Sequence, residues 1–251
     1  MTSALRGDLK RALNPAALAG QIGMDPDPWQ NDVLRSDHPR ILLNCCRQSG
    51  KSTTASLRAV HVAVYQPGSV VLLLSPSLRQ SGELFRKCKA VYRGLGKPVK
   101  AEAESALTLT LENGSRLVCL PGSESTVRGY SGVRLLIVDE ASRVDDELMT
   151  AIRPMLAVSG GGIIALSTPA GKRGWWWDAW SGSGDWKRVQ ITADDCPRIS
   201  PEFLAEERRD MGEWLYRQEY MGVFTEAREQ VFREDDIQGM TGGVGPDWSN
   251  G

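Results

Sequence analysis

Apolar residues in this chain are grouped into short uninterrupted runs, several of them followed by a segment with helical character. Such runs predict strands that are buried on both faces, as in a parallel sheet. The predicted strands are residues 41–43, 69–75, 135–140 and 162–169, with a last strand at 186–192. Helices are predicted at 52–64, which lacks Gly and Pro, and at 78–93. The alternation indicates the α/β class, with a mostly parallel sheet flanked by helices.

One segment departs from this alternation. Residues 106–111 and 116–120 have strand character, and the Asn113-Gly114 pair between them is typical of a hairpin turn. A hairpin joins antiparallel strands, whereas the other predicted strands are parallel. We therefore expect an antiparallel insertion in the sheet.

Additional helices are predicted near both ends of the chain. Leucines four residues apart predict an amphipathic helix over residues 3–13, and Asp27-Pro28 is a typical helix start. Further helices are predicted at 201–210 and 212–221, ahead of a tail rich in Gly, Pro, Asp and Ser. The predicted domain boundaries are 1–35 for N-terminal helices, 36–225 for the α/β core and 226–251 for a linker.

Composition narrows the functional classes. The 251 residues are 41% hydrophobic and 24% charged, with a formal net charge of -1, so contact with nucleic acid would need a local basic face or neighbouring subunits. The five cysteines form no CxxC pair and the chain has two histidines, which argues for reduced thiols and against a structural zinc site. Without a run of 18 apolar residues or a signal peptide, we expect neither export nor a membrane span.

The clearest chemical signal lies between the first predicted strand and the helix after it. A loop in this position presents backbone N–H groups and a helix N-terminus to an anion. Lys51 would reach the β- and γ-phosphates of a nucleotide, and the Ser52 hydroxyl would bind Mg²⁺. Cys45 stands where this type of loop usually has a glycine. The predicted nucleotide contacts in the loop are Cys46, Arg47, Gln48, Ser49, Gly50, Lys51, Ser52 and Thr53.

A second signal is the acidic pair that ends the strand at 135–140. The carboxyl ends of parallel strands form the edge where ligands of open α/β sheets bind. Asp139 would hold Mg²⁺, and Glu140 would polarise the water that attacks the γ-phosphate. The alternative is a strand that ends in a solvated acidic turn, which the phosphate loop about ninety residues upstream makes the weaker interpretation.

Further site residues are suggested by their positions. Trp29 and Gln30 open a helix, and the Gln30 amide could read an adenine edge, although a buried helix start explains the pair as well. Ser167, Thr168 and Pro169 end a strand and would lie beside the acidic pair, where they could sense the γ-phosphate.

Two more features carry alternative explanations. Arg128, followed by Gly129, could act as an arginine finger, in its own subunit or a neighbour's, or could pair with a surface carboxylate. The tryptophans of 175–180 could stack bases, but packing or a subunit contact is the favoured interpretation.

These motifs, in this order and spacing over about residues 20–225, resemble the ATPase domain of the large terminase subunit of tailed bacteriophages. The resemblance rests on five segments: residues 28–30, 47–52, 128–129, 135–140 and 167–169. It is more specific than a generic phosphate loop, and members of this family often lack the first loop glycine.

The resemblance implies an additional-strand, recA-like P-loop NTPase that uses ATP and Mg²⁺. By this similarity Gln30 contacts adenine, Arg47 faces the γ-phosphate, Glu140 is catalytic and Arg128 is a finger acting in trans. Residues 167–169 would couple hydrolysis to movement.

The resemblance also implies that the protein is part of a DNA-packaging motor in the cytoplasm of an infected bacterium. Its expected partners are double-stranded DNA, the portal protein and the small terminase subunit, with no membrane. Assembled copies would form a homo-oligomeric ring, expected to be pentameric, while an isolated domain could be monomeric. Full-length relatives add a nuclease domain, and no DNA cleavage is expected from these residues.

Two other functions stay open on the sequence alone. A helicase-like DNA-dependent ATPase would need a second recA-like lobe, for which few residues remain after 225. A nucleotide-binding assembly module would use ATP only to stabilise a subunit contact. Hydrolysis, and its dependence on Glu140, distinguishes the motor from this module.

Overall fold

A computed structural model describes residues 3–120 and 129–226 of the chain. The predictions made for Arg128 and for the linker beyond residue 226 therefore fall outside the described residues. Within them, no helix is long and apolar enough to cross a membrane.

The described strands form one sheet of eight strands in the order β3-β4-β5-β2-β6-β7-β1-β8. The strands are β1 Arg40–Cys45, β2 Val70–Leu74, β3 Ala101–Glu104, β4 Thr108–Leu111, β5 Arg116–Leu120, β6 Val133–Asp139, β7 Gly162–Ser167 and β8 Lys187–Ile191. Strands β5, β2, β6, β7, β1 and β8 run parallel to one another, which confirms the predicted class.

The predicted hairpin is present and is larger than expected. Strands β4 and β5 pair antiparallel, and β3 adds a third strand at the edge. No apolar run marks β3 in the sequence, because Ala101–Glu104 lies at the sheet margin with mostly exposed side chains.

Helices cover both faces of the sheet. They are α1 Ser3–Leu13, α2 Ala17–Gln21, α3 Pro28–Arg35, α4 Lys51–Tyr65, α5 Leu78–Gly94, α6 Asp146–Ile152, α7 Pro154–Ala157, α8 Gly174–Ser181 and α9 Pro201–Glu219. Short 3-10 turns occupy Ala141–Arg143 and Ala193–Asp195.

The core lies in two layers because strand side chains alternate between faces. In β1, Ile41 and Leu43 pack with α4 and α5, whereas Leu42 packs on the opposite face. That opposite layer includes Trp175 and Trp176 of α8, so these two tryptophans pack in the core, as favoured from the sequence.

The C-terminal helix α9 is bent at Gly212. This residue has φ 78° and ψ 161°, a left-handed φ that favours glycine and interrupts the helical backbone. The two helices predicted at 201–210 and 212–221 therefore correspond to the two halves of α9, which join at this bend. Beyond the bend, the second half ends at Glu219, next to the loop after β1.

Candidate nucleotide site

Three parallel strands, β1, β7 and β6, lie side by side and end at the same edge of the sheet. Asn44 in β1 is in register with Ser167 in β7, and Leu166 is in register with Asp139 in β6. The predicted phosphate loop, acidic pair and hydroxyl segment are thus brought together at one edge, as the sequence suggested.

The loop after β1 has two residues with left-handed backbone, Gln48 with φ 58° and Gly50 with φ 89°. The backbone conformation favours glycine at position 50, and a Cβ atom there would lie 2.7 Å from Gln30 Nε2 and displace the Gln30 amide. Cys45 needs no such freedom. It is the last residue of β1, buried and paired with Ile191 of β8, which explains why the usual glycine can be replaced.

Lys51 and Ser52 open helix α4 and face the other motifs. Ser52 Oγ donates a hydrogen bond of 3.1 Å to Asp139 Oδ2, and Lys51 Nζ donates one of 3.4 Å to the Cys46 carbonyl. Burial raises the pKa of Asp139, the charge of Glu140 raises it further, and the charge of Lys51 opposes both. The loop and the acidic pair are therefore in direct contact.

Side chains of alternating charge are linked along this edge of the sheet. Arg47 Nε donates to Glu219 Oε2 at 2.6 Å, and the Arg47 backbone N–H donates to the Glu219 carbonyl at 3.0 Å. Arg143 lies 3.6 Å from the other Glu219 oxygen and donates at 2.8 Å to Glu140 Oε2. In this structure Arg47 is thus held by a carboxylate of α9. Sequence reasoning missed Glu219, because no motif links it to Arg47 or Arg143. It also missed Arg143, which lies three residues after Glu140 but was not part of any motif considered.

Gln30 lies under the phosphate loop, with 1% of its surface exposed. Its Oε1 accepts the Asp27 N–H at 2.9 Å, and its Nε2 donates to the Ser49 carbonyl at 3.5 Å. Trp29 is partly buried beside it and packs against the core. Both ends of the Gln30 amide are thus engaged within the chain, and its contact with adenine stays a prediction.

The segment after β8 also reaches the loop. Arg198 binds Asp27 through two hydrogen bonds of 2.7 Å and donates to the Ser49 carbonyl at 3.3 Å. Cys196 Sγ lies 3.7 Å from Cys46 Sγ, and both thiols are buried. No pattern in the sequence indicated these contacts.

The hydroxyl segment after β7 is buried beside the acidic pair. Ser167, Thr168 and Pro169 are all buried. Ser167 Oγ is 2.7 Å from the Ser142 hydroxyl, which lies two residues after Glu140. A hydrogen bond therefore joins the ends of the two strands.

The strand order and this edge define a class of protein. Strand β7 is inserted between β1, which carries the phosphate loop, and β6, which carries the acidic pair. This is the arrangement of additional-strand P-loop NTPases, as the resemblance implied. Within this class, the chain belongs to the family described as terminase large subunit, T4likevirus-type, N-terminal, whose model matches residues 42–239.

Similarity to an individual protein supports this family assignment. The large terminase subunit of Thermus virus P23-45 is 27% identical over 253 residues, covering 86% of this chain and 52% of that protein. The chain thus spans about half the length of this curated relative.

Solved structures agree on the fold. The ATPase domain of the Thermus phage P74-26 large terminase superposes with a TM-score of 0.74 at 24% identity, covering 82% of this chain and 96% of that one. The large terminase of a thermophilic bacteriophage, solved in complex with ADP, gives a TM-score of 0.68 at 15% identity, covering 79% of this chain and 53% of that one.

Proposed function

We propose that this chain is the ATPase motor domain of a viral large terminase. In this proposal it hydrolyses ATP to ADP and phosphate and couples the reaction to movement of double-stranded DNA into a procapsid. The observation that carries the proposal is the 3.1 Å contact between Ser52 and Asp139, with Glu140 next in the chain. It joins the phosphate loop to the acidic pair at one edge of the sheet.

The residues at this edge fit a magnesium nucleotide. A serine hydroxyl and a carboxylate are the hard oxygen ligands that Mg²⁺ prefers. Asn44 Oδ1 and Ser49 Oγ are buried in or next to the loop and have no hydrogen-bond partner among the described residues. Ser52 and Asp139 would hold Mg²⁺, which when bound supplies positive charge to the phosphate oxygens.

The protein's own groups then have distinct roles in hydrolysis. Backbone N–H groups of the loop and the Lys51 ammonium bind the β- and γ-phosphates. Glu140 accepts a proton from the water that attacks the γ-phosphate, and Arg47 stabilises charge on the transferred group. Loop residues from Cys46 to Thr53 form the rest of the cradle.

Coupling and assembly complete the proposal. The hydrogen bond between Ser142 and Ser167 supports a route from the acidic pair to Ser167, Thr168 and Pro169. Arg128 is proposed to serve a neighbouring copy's site in a pentameric ring. The proposed partners are double-stranded DNA, the portal protein and the small terminase subunit. Support for the nucleotide comes from the large terminase of the thermophilic bacteriophage, which was solved with ADP and with ATP-γ-S.

The rate of ATP hydrolysis, measured against protein concentration with and without duplex DNA, tests this function. We expect weak turnover that rises with concentration, because a finger supplied in trans requires contact between copies. A Lys51→Ala variant should be inactive at every concentration. If the wild-type chain binds ATP without turnover even at high concentration with DNA, the assembly-module alternative is favoured.

A further inference from the structure

Arg143 lies against the proposed catalytic carboxylate. Glu140 directly precedes the 3-10 turn Ala141–Arg143. Such a turn has three residues per repeat, so side chains three positions apart lie on the same side. Arg143 Nη1 consequently donates to Glu140 Oε2 at 2.8 Å.

A second carboxylate holds the same guanidinium. Arg143 Nη2 lies 3.6 Å from Glu219 Oε1, and the Glu219 side chain is only 5% exposed. The other Glu219 oxygen binds Arg47, so Glu219 itself is fixed. A planar guanidinium can contact two carboxylates at once, which a lysine ammonium on its flexible stem does less well. Arg143 therefore has a defined position at the end of α9.

These contacts fix the orientation of Glu140. Its backbone has φ 52° and ψ 42°, a left-handed conformation uncommon for a residue other than glycine. One carboxylate oxygen is bound by Arg143, while Oε1 has no hydrogen-bond partner among the described residues. A general base must have a free oxygen directed at the water it activates.

We infer that Arg143 is a positioning residue for ATP hydrolysis. It binds Glu140 Oε2 and leaves Oε1 free to accept the proton of the attacking water. Through Glu219 it also ties this orientation to the end of α9. The inference rests on the proposed function, since it concerns the same hydrolytic site.

The simpler explanation is a surface ion pair between residues three apart. Arg86 and Glu83 in α5 form such a pair, with more than half of each side chain exposed. Exposed pairs contribute little to stability. Arg143 differs because it also contacts a buried carboxylate from a distant part of the chain. Arg86→Ala is therefore a matched control.

Steady-state ATP hydrolysis by the whole chain tests the inference. Arg143→Ala should lower kcat by about 10- to 100-fold, the loss typical of a misplaced catalytic group. The KM for Mg-ATP should stay within about twofold, because no binding contact is removed. Arg143→Lys should recover part of kcat by keeping one contact with Glu140. Arg86→Ala should behave as the wild type.

A double variant separates positioning from support of the fold. Adding Arg143→Ala to Glu140→Gln should lower kcat no further, since Arg143 acts through Glu140. An additional loss in the double variant, or a kcat decrease with a lowered Tm and no recovery by Arg143→Lys, would overturn the inference.

The same variants distinguish a failure of the inference about Arg143 from a failure of the proposed function. If Arg143→Ala keeps the wild-type kcat while Glu140→Gln abolishes turnover, the inference is wrong and the proposed function stands. If Glu140→Gln hydrolyses ATP like the wild type, or the wild type has no turnover, the proposed function itself is wrong, and this inference with it.

Discussion

Ser52 Oγ donates a hydrogen bond of 3.1 Å to Asp139 Oδ2, although the two residues are 87 positions apart in the chain. The serine is the second residue of α4, and the aspartate ends β6. Their contact places the two proposed magnesium ligands within reach of a single ion.

Replacing Asp139 with Asn tests the metal assignment. The amide keeps the size of the side chain but removes the charge proposed to bind Mg²⁺. We expect hydrolysis to fall by about two orders of magnitude, since a catalytic metal stabilises the transition state by several kcal/mol. A magnesium titration of the ATPase rate measures this effect. An unchanged magnesium dependence would assign the metal to other residues.

Glu140→Gln removes the proposed base while preserving its shape. We expect kcat to fall by about 10²- to 10⁴-fold, the usual contribution of general base catalysis. Binding of a fluorescent ATP analogue should be retained, because no phosphate contact is lost. A variant that neither binds nor hydrolyses ATP would instead indicate a structural role for this residue.

Gly50→Ala should damage the phosphate loop. Alanine is strained at a φ of 89°, and its Cβ would lie 2.7 Å from Gln30 Nε2. We expect the free energy of unfolding to fall by about 1–3 kcal/mol, together with weaker ATP binding. Urea denaturation and nucleotide titration measure the two effects.

Gly82→Ala is the matched control for this change. Gly82 lies inside α5, and an added Cβ meets nothing within 4 Å. Because glycine lowers helix stability, the alanine variant should be more stable by about 0.5–1 kcal/mol, with unchanged ATP binding. Equal changes in stability and ATP binding in the two variants would show that the loop conformation at Gly50 does not cause the loss.

Alkaline pH should destabilise the fold through its buried thiols. Burial raises the pKa of Cys45 and Cys88 to about 12 and that of Cys119 to about 11, from an ordinary value of 9.0. Above pH 9 the unfolded chain therefore loses protons that the folded chain keeps. The stabilising contribution is complete below this pH and is lost as the pH rises toward the folded values.

The expected decrease is up to about 1.4 kcal/mol per pH unit for each thiol. Urea denaturation over a series from about pH 8 to about pH 10 measures it. Cys88→Ala should show a shallower decrease than the wild type. An identical slope in both proteins would assign the alkaline effect to other groups.

A mixing experiment tests whether Arg128 acts in trans. Arg128→Ala and Glu140→Ala proteins are each expected to be inactive. Mixed copies should recover part of the wild-type rate, because one copy supplies the finger and the other an intact hydrolytic pair. No recovery at any ratio would place Arg128 in its own subunit's site or outside the reaction.

Local sequence signals predicted most of the sheet and the site. Apolar runs located the central strands, the loop motif located Ser52, and strand ends located Asp139 and Ser167. Parallel strands bring their carboxyl ends, and the loops that follow them, to one edge. The strand order then confirmed the class inferred from the motifs.

The missed features depend on contacts between distant segments. Glu219 lies in a charged helix with no motif, and only the bend at Gly212 and the packing of α9 bring it to Arg47. The contact of Gln30 Nε2 with the Ser49 carbonyl likewise depends on the packing of α3 under the loop. Such pairings follow from tertiary packing, which periodicity and spacing do not encode.

The return of α9 to the first strand has a consequence for folding. The Asn44 amide donates to the Gly222 carbonyl at 2.8 Å, so the start and the end of the described core meet at the nucleotide edge. Contacts this distant in sequence form slowly, after shorter loops have closed. During synthesis, the phosphate loop emerges long before its last partners are made. The edge of the sheet that carries this loop is therefore completed only when the last described residues of the core have been made.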